Sequence, residues 1–201
     1  MPTSVPAKND RNASVTTHAR RRAILWLVGA AWLRGWIIGA VLIAAPSLLL
    51  VAAGWLEFVP MPDGSSLGVA LSALLVLAPA AFLEELIARG YALHVLRSAL
   101  GWWPAILLTS AAFGLLHWWN PGATPYSLAL VSLAGIFLGV VVMATRSLWA
   151  ATLAHLAWNW TMAALLHAPV SGIRFEAPGW RLADAGPDWA TGGAWGPEAG
   201  L

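Results

Sequence analysis

The stretch from Tyr126 to Ala144 carries no charged side chain, and the run that starts near Leu67 meets none before Glu84. Runs of about 20 apolar residues are what a helix needs to cross the hydrocarbon core of a bilayer. A helix also pairs its backbone groups within one segment, which that medium demands. The composition agrees. Of 201 residues 59% are hydrophobic and 10% charged, with a mean hydropathy of +0.71, whereas a soluble domain has about a quarter of its residues charged. The expected fold is all-α: a polytopic transmembrane helical bundle of about five spans in one domain, ending in an irregular C-terminal tail. A formal net charge of +2, with the basic residues gathered at a few places, speaks of orientation and not of nucleic acid. The absence of cysteine excludes disulfides, thiolate nucleophiles and cysteine–zinc sites. The 14 tryptophans suit interfacial belts.

Residues 1–22 are polar and end in Arg20-Arg21-Arg22. They read as a disordered, basic, cytoplasmic segment. The apolar run from Ala23 to Phe58 exceeds signal-peptide length without a clear cleavage site, so it reads as retained. Ala23 to Leu33 is expected to form a tilted lead-in and Trp36 to Trp55 the first span, with Arg34 snorkelling to the headgroups. Glu57 to Ser66, with its acids, prolines and glycine, reads as an outer loop. The second span starts near Leu67, passes Pro79 and is expected to continue beyond Gly90 to about Ser98. Gly101 and Pro104 mark a turn into a third helix, Trp103 to about Trp118. Asn120-Pro121-Gly122 is a turn. The fourth span is Tyr126 to Ala144 and the fifth Leu148 to about Leu166. Arg89, Arg97 and Arg146 then fall on the inner side with the N-terminus. These spans make residues 23–166 the membrane-embedded domain. The tail, 167–201, has Gly, Pro and recurring Trp without helical period, and either folds over the outer face of the bundle or stays mobile.

Charges inside apolar runs cost several kcal/mol unless paired or facing a polar cavity. Phe82-Leu83-Glu84-Glu85-Leu86-Ile87-Ala88-Arg89 carries three. Glu84 and Glu85 point about 100° apart on a helix. Glu85 and Arg89 stand at i,i+4, where side chains meet. That spacing reads as an ion pair fixing helix position, which leaves Glu84 for chemistry. The plainer reading is that both acids pair with basic groups near the interface. His117 lies near the end of the third helix, where a lone histidine is more often structural. His155 and Asn159 share one face of the fifth span at i,i+4. They serve either a functional site or an interhelical hydrogen bond worth about 0.6 kcal/mol. His94 and His167 read as interfacial.

Depth offers a test. With the second helix reaching Ser98, Glu84 and His117 each lie roughly 21 Å from the inner turn; His155 and Asn159 lie about 12 and 18 Å from the start of the fifth span. All four then meet at similar depth, provided the helix continues through Gly90. A carboxylate beside a histidine can deprotonate water, and a second histidine with an amide can donate to a developing oxyanion. No Gly-x-Ser-x-Gly elbow supplies a serine nucleophile. Zinc would need three ligands, which Glu84, His117 and His155 could supply, but no His-Glu-x-x-His is present. Metal-free water activation without a cofactor is therefore the favoured reading.

Three motifs stand in order: Glu84-Glu85-x-x-x-Arg89, Phe113-x-x-x-His117 and His155-x-x-x-Asn159. Together they resemble the CPBP family, the CAAX-protease and bacteriocin-processing (Abi) intramembrane proteases, over about Leu67 to Leu166. The resemblance implies a glutamic endopeptidase of the membrane. In it Glu84 activates water with help from His117, Glu85 and Arg89 form a supporting pair, and His155 and Asn159 form an oxyanion site. The implied partners are the lipid bilayer and a small peptide or membrane-anchored protein as substrate, with no nucleic acid. The expected location is a bacterial plasma membrane. The competing readings are a non-proteolytic scaffold or bacteriocin-immunity protein, a zinc-dependent protease and, less favoured without inverted repeats, a carrier.

Overall fold

A computed structural model describes residues 10–200, with side chains from Gly29 onward. Helix α1 runs from Asp10 to Ala52. No proline or glycine falls between Asp10 and Val28, so nothing interrupts a helix continuous with the apolar run. The tilted lead-in and the first span are thus one rod. The disorder expected of residues 1–22 meets this helix from Asp10, and residues 1–9 lie outside the described residues. Helix α2 spans Ser66–Glu85 and starts at Ser65, whose Oγ accepts the Gly68 N–H. It passes into a π-helical segment, Leu86–Ala92, and then α3, Leu93–Leu100. The rod therefore does continue through Gly90. Helix α4 is Trp102–Leu116 and tightens into a 3-10 turn, His117–Trp119. Helix α5, Pro125–Thr145, opens on a capping box between Thr124 and Ser127. Helix α6, Leu148–Trp160, ends in a second π segment, Thr161–Leu166.

Among the described residues three helical stretches are long and apolar enough to cross a membrane: Gly29–Ala52, Ser66–Leu100 and Pro125–Thr145. Helix α4 is shorter, and α6 reaches the length of a span only with its π segment. The chain is a membrane protein whose helices alternate direction. The turns at Gly101 and Arg146 share one end. There Trp102 lies under two guanidinium groups, those of Arg97 and Arg146, at 4.5 and 4.7 Å.

The opposite end departs from expectation. The loop after α1 contains a strand, β1 (Leu56–Pro60), which pairs antiparallel with β2 (Trp180–Asp184) in the tail, Phe58 opposite Leu182. The tail is therefore folded across this end, with a short helix α7, Asp188–Thr191, and Trp195 buried against Phe113, Leu128 and Val131. His167, expected at the interface, is buried under that cover with its ring against Trp180.

Helix α1 packs chiefly on α6. The contact is a small-residue seam. A Cβ on Gly35 or Gly39 would overlap the carbonyl oxygens of Ala150 and Ala154 respectively. Glycines four apart let two backbones touch where no water is available to drive association. The seam lies opposite the face of α6 that carries the polar motif, so it sets where that motif stands. Replacing Gly39 by Leu should therefore cost about 1–3 kcal/mol or more by overpacking. It should lower the thermal midpoint in detergent, whereas Gly29→Ala, which meets nothing within 4 Å and gains helix propensity, should not lower it.

Candidate active site

The polar residues of α2, α4 and α6 converge between the helices. Arg89 and Glu85 form a fully buried ion pair at 2.7 Å. The π segment beginning at Leu86 changes the pitch to an i→i+5 ladder, yet side chains four apart remain on nearly one face. The second arm of the guanidinium donates to the Gly135 carbonyl at 2.9 Å. Its Cζ lies 4.3 Å from the centre of the Phe113 ring. The site is tight at Gly135, where a Cβ would come within 3.0 Å of Ser110 Cβ and 3.1 Å of Arg89 Nη2. One ion pair thus ties α2 to α5 and, through Phe113, to α4.

Glu85 has a second partner. Its Oε1 accepts from His155 Nδ1 at 3.1 Å. A carboxylate accepts only, so Nδ1 carries the proton and Nε2 faces away from Glu85. Spacing along α2 pointed only to Arg89, and the link from Glu85 to α6 needed the packed structure. Phe113 is similarly central: its ring lies 4.8 Å from that of His117 and 5.9 Å from that of His155. His117 donates from Nδ1 to the Phe113 carbonyl at 2.8 Å, which fixes its ring and leaves Nε2 toward Glu84.

Glu84 is where the two histidines meet. Its Oε2 lies 4.0 Å from His117 Nε2 and 3.9 Å from His155 Nε2. Those distances are too long for direct hydrogen bonds. They match the span a single bridging oxygen covers. The side chain as a whole is 41% exposed, yet the Oε2 atom is buried and has no hydrogen-bond partner among the described residues. Unpaired buried carboxylate oxygens are costly. Glu85 Oε2 and Arg89 Nε are likewise buried without partners among the described residues; what sets Glu84 apart is that it also lines a cavity.

Two cavities adjoin this cluster and share Phe113 and His117. The wider, of about 270 Å³, is lined by Glu84, Ile87, Ala88, Leu116 and Asn120 as well as Ile173 of the tail. The narrower, of about 30 Å³, is lined by His155, Asn159, Ala134 and Trp158, and by Ser171 and Glu198 of the tail. All four residues expected to converge therefore do so: Glu84, His117 and His155 by distance, and Asn159 by lining the same cavity as the histidines. Ser171 and Glu198 were not expected. The recurring tryptophans, among them Trp195, were the signal that the tail packs on something. Among the described residues no group of three or more His, Cys, Asp or Glu is arranged to hold a metal ion.

Removing one partner of a buried ion pair strands the other charge. Arg89→Met should therefore destabilise the protein by about 3–5 kcal/mol, read as a large drop in thermal midpoint and in the yield of monodisperse protein. Leu133→Ala, at a lipid-facing position of α5, should do neither.

The chain is similar over residues 66–161 to the family model described as Rce1-like, type II CAAX prenyl endopeptidase. That segment contains Glu84, Glu85, Arg89, His117, His155 and Asn159, and excludes α1 and the tail. No curated protein and no solved structure matches the chain.

Proposed function

We propose that the chain, which over residues 66–161 is similar to the Rce1-like type II CAAX prenyl endopeptidases, hydrolyses peptide bonds with a water activated by Glu84. The observation that carries this reading is the spacing of Glu84 Oε2, 4.0 and 3.9 Å from the two imidazole Nε2 atoms. A water seated between Glu84 and His117 gives up a proton to the carboxylate as its oxygen attacks the substrate carbonyl carbon. His117, held by the Phe113 carbonyl, accepts a hydrogen bond from the same water. The developing oxyanion lies toward α6, where the Asn159 amide donates to it. His155 donates from Nε2 in its doubly protonated form, with Glu85 holding the other nitrogen. When the C–N bond breaks, the proton taken by Glu84 passes to the leaving amine. The substrate is a small peptide or a membrane-anchored protein, since the cluster lies among apolar helices and the wider cavity has apolar walls.

A zinc-dependent version has one feature in its favour. A buried carboxylate on the far nitrogen of His155 is the arrangement that orients histidine ligands of zinc. The Glu84 oxygen nevertheless stands 4.0 and 3.9 Å from the two imidazole nitrogens, wider than the ~3.3 Å edge of a tetrahedron with bonds of ~2.0 Å. Water activation by Glu84 alone needs no such contraction.

The test is peptide cleavage by detergent-purified protein against a random library, with and without a strong chelator. Wild type should cleave with chelator present. Glu84→Gln should keep its thermal midpoint and lose activity by about 10²–10⁴-fold, the usual worth of a general base. Activity lost to chelator and restored by zinc would replace the metal-free mechanism. Full activity in Glu84→Gln would remove the carboxylate from the chemistry altogether.

A further inference from the structure

The family match ends at residue 161, yet two residues beyond it line the narrow cavity, Ser171 and Glu198. Ser171 sits at the tip of a tight hairpin. Val170 and Ile173 exchange both backbone hydrogen bonds at 2.8 Å, and the two residues between them have positive φ, 48° at Ser171 and 80° at Gly172. That is the two-residue turn whose twist suits a hairpin, and it asks for a left-handed conformation at both central positions. Glycine adopts it freely, whereas a serine pays for it.

Glu198 holds that serine. One carboxylate oxygen accepts from the Ser171 N–H at 2.5 Å, from Ser171 Oγ at 2.7 Å and from the Trp195 indole at 3.1 Å. The other accepts from the Trp158 indole at 3.2 Å. Trp158 is on α6, next to Asn159, so the carboxylate bridges the tail to the helix that carries the His155/Asn159 motif. The far side of the tip is also pinned. Asn120 donates to the Ser171 carbonyl at 3.1 Å, and Gly172 packs so closely on the Pro121 carbonyl that no Cβ would fit. The hairpin spans both chambers, with Ser171 on the narrow one and Ile173 on the wide one.

We propose that the hairpin Val170–Ile173 is a fixed roof over the active-site cavity and that Glu198 is the positioning residue that holds it down against α6. All four hydrogen bonds to Glu198 come from the protein itself, so the carboxylate acts as a clasp and not as a ligand for substrate. A roof held in this way sets the room beside His155 and Asn159. It limits what can stand on that side of the scissile bond to a small group, and it leaves the wide, apolar-walled chamber as the way in. The geometry of the roof stands independently of the protease reading; its effect on specificity rests on it.

The chain has no cysteine, so one introduced thiol reports alone. Ala134→Cys puts it on the wall of the narrow cavity. Full-length protein in detergent is treated with a water-soluble maleimide and the labelling rate followed. Glu198→Gln leaves one acceptor oxygen and turns an amide N–H₂ toward the Trp158 donor or the Ser171 donors, so the clasp opens. Labelling of Ala134→Cys should then run roughly tenfold faster, the factor that one charge-assisted hydrogen bond is worth. Trp158→Phe keeps the ring and removes only its donor. It should give a similar gain, and the two together should add little. A thiol at exposed Ser98, at the other end of the bundle, should label at one rate in every background. Unchanged labelling of Ala134→Cys in both clasp variants would overturn the proposal. So would a gain matched at Ser98→Cys, which would mean general loosening. With a peptide that wild type cleaves, the clasp variants should accept bulkier residues on one side of the bond and shift KM more than kcat. Because labelling needs no turnover, a protein that cleaves nothing still decides the roof.

Discussion

The Glu85–Arg89 pair is the interaction on which the rest of the site depends. It is fully buried in an apolar bundle, where either charge alone would be intolerable. Each remaining hydrogen-bonding contact of the pair ends on a different helix: Gly135 on α5 and His155 on α6. Phe113 on α4 lies against the guanidinium. Four helices are thereby indexed to one pair of charges. In a bilayer there is little hydrophobic force to press helices together, since lipid tails are as apolar as leucine. Polar contacts and close backbone approach have to set their positions. The ion pair does so at the centre, and the Gly35/Gly39 seam does so on the outer side of α6.

That arrangement explains how two adjacent glutamates come to have separate work. Glu85 is committed to structure through one oxygen, which accepts from both Arg89 and His155, while its other oxygen is buried without a partner among the described residues. Glu84 turns to the other side of the helix, is partly exposed, and keeps an oxygen without a partner. The difference is one of direction imposed by helix pitch, and it was legible in the sequence. So was the shared depth of Glu84, His117, His155 and Asn159, because it follows from rise per residue once the helix is allowed to run through Gly90. The structure carries it through as a π segment, Leu86–Ala92, and a second π segment follows the His155/Asn159 motif. Segments of this kind are rare and favour functional sites. Hydropathy does not distinguish them from ordinary helix.

What the sequence did not disclose depends on pairings between distant segments. β1 reads as the start of a loop because Glu57 and Pro60 run on into Pro62, Asp63 and Gly64, and only β2 makes it a strand. Glu198 looks like one scattered charge in a Gly-rich tail; its meaning lies in Ser171, Trp158 and Trp195, which local pattern cannot bring together. The Gly35/Gly39 seam is visible as a spacing, but Ala150 and Ala154 are needed to make it a contact. Elements with their own period were readable, whereas elements made by a partner were not.

The β1–β2 strap has a consequence for how the molecule assembles. Its first strand is made before α2 and its second after α6, so the pairing of Phe58 with Leu182 has to wait for the whole bundle. Until then β1 is an open edge with unpaired amides, and such edges invite strands from other chains. Its Pro60 and Glu57 are residues that discourage that kind of pairing. The strap is a late closure, and the interval before it forms is when the chain is most exposed to misassembly.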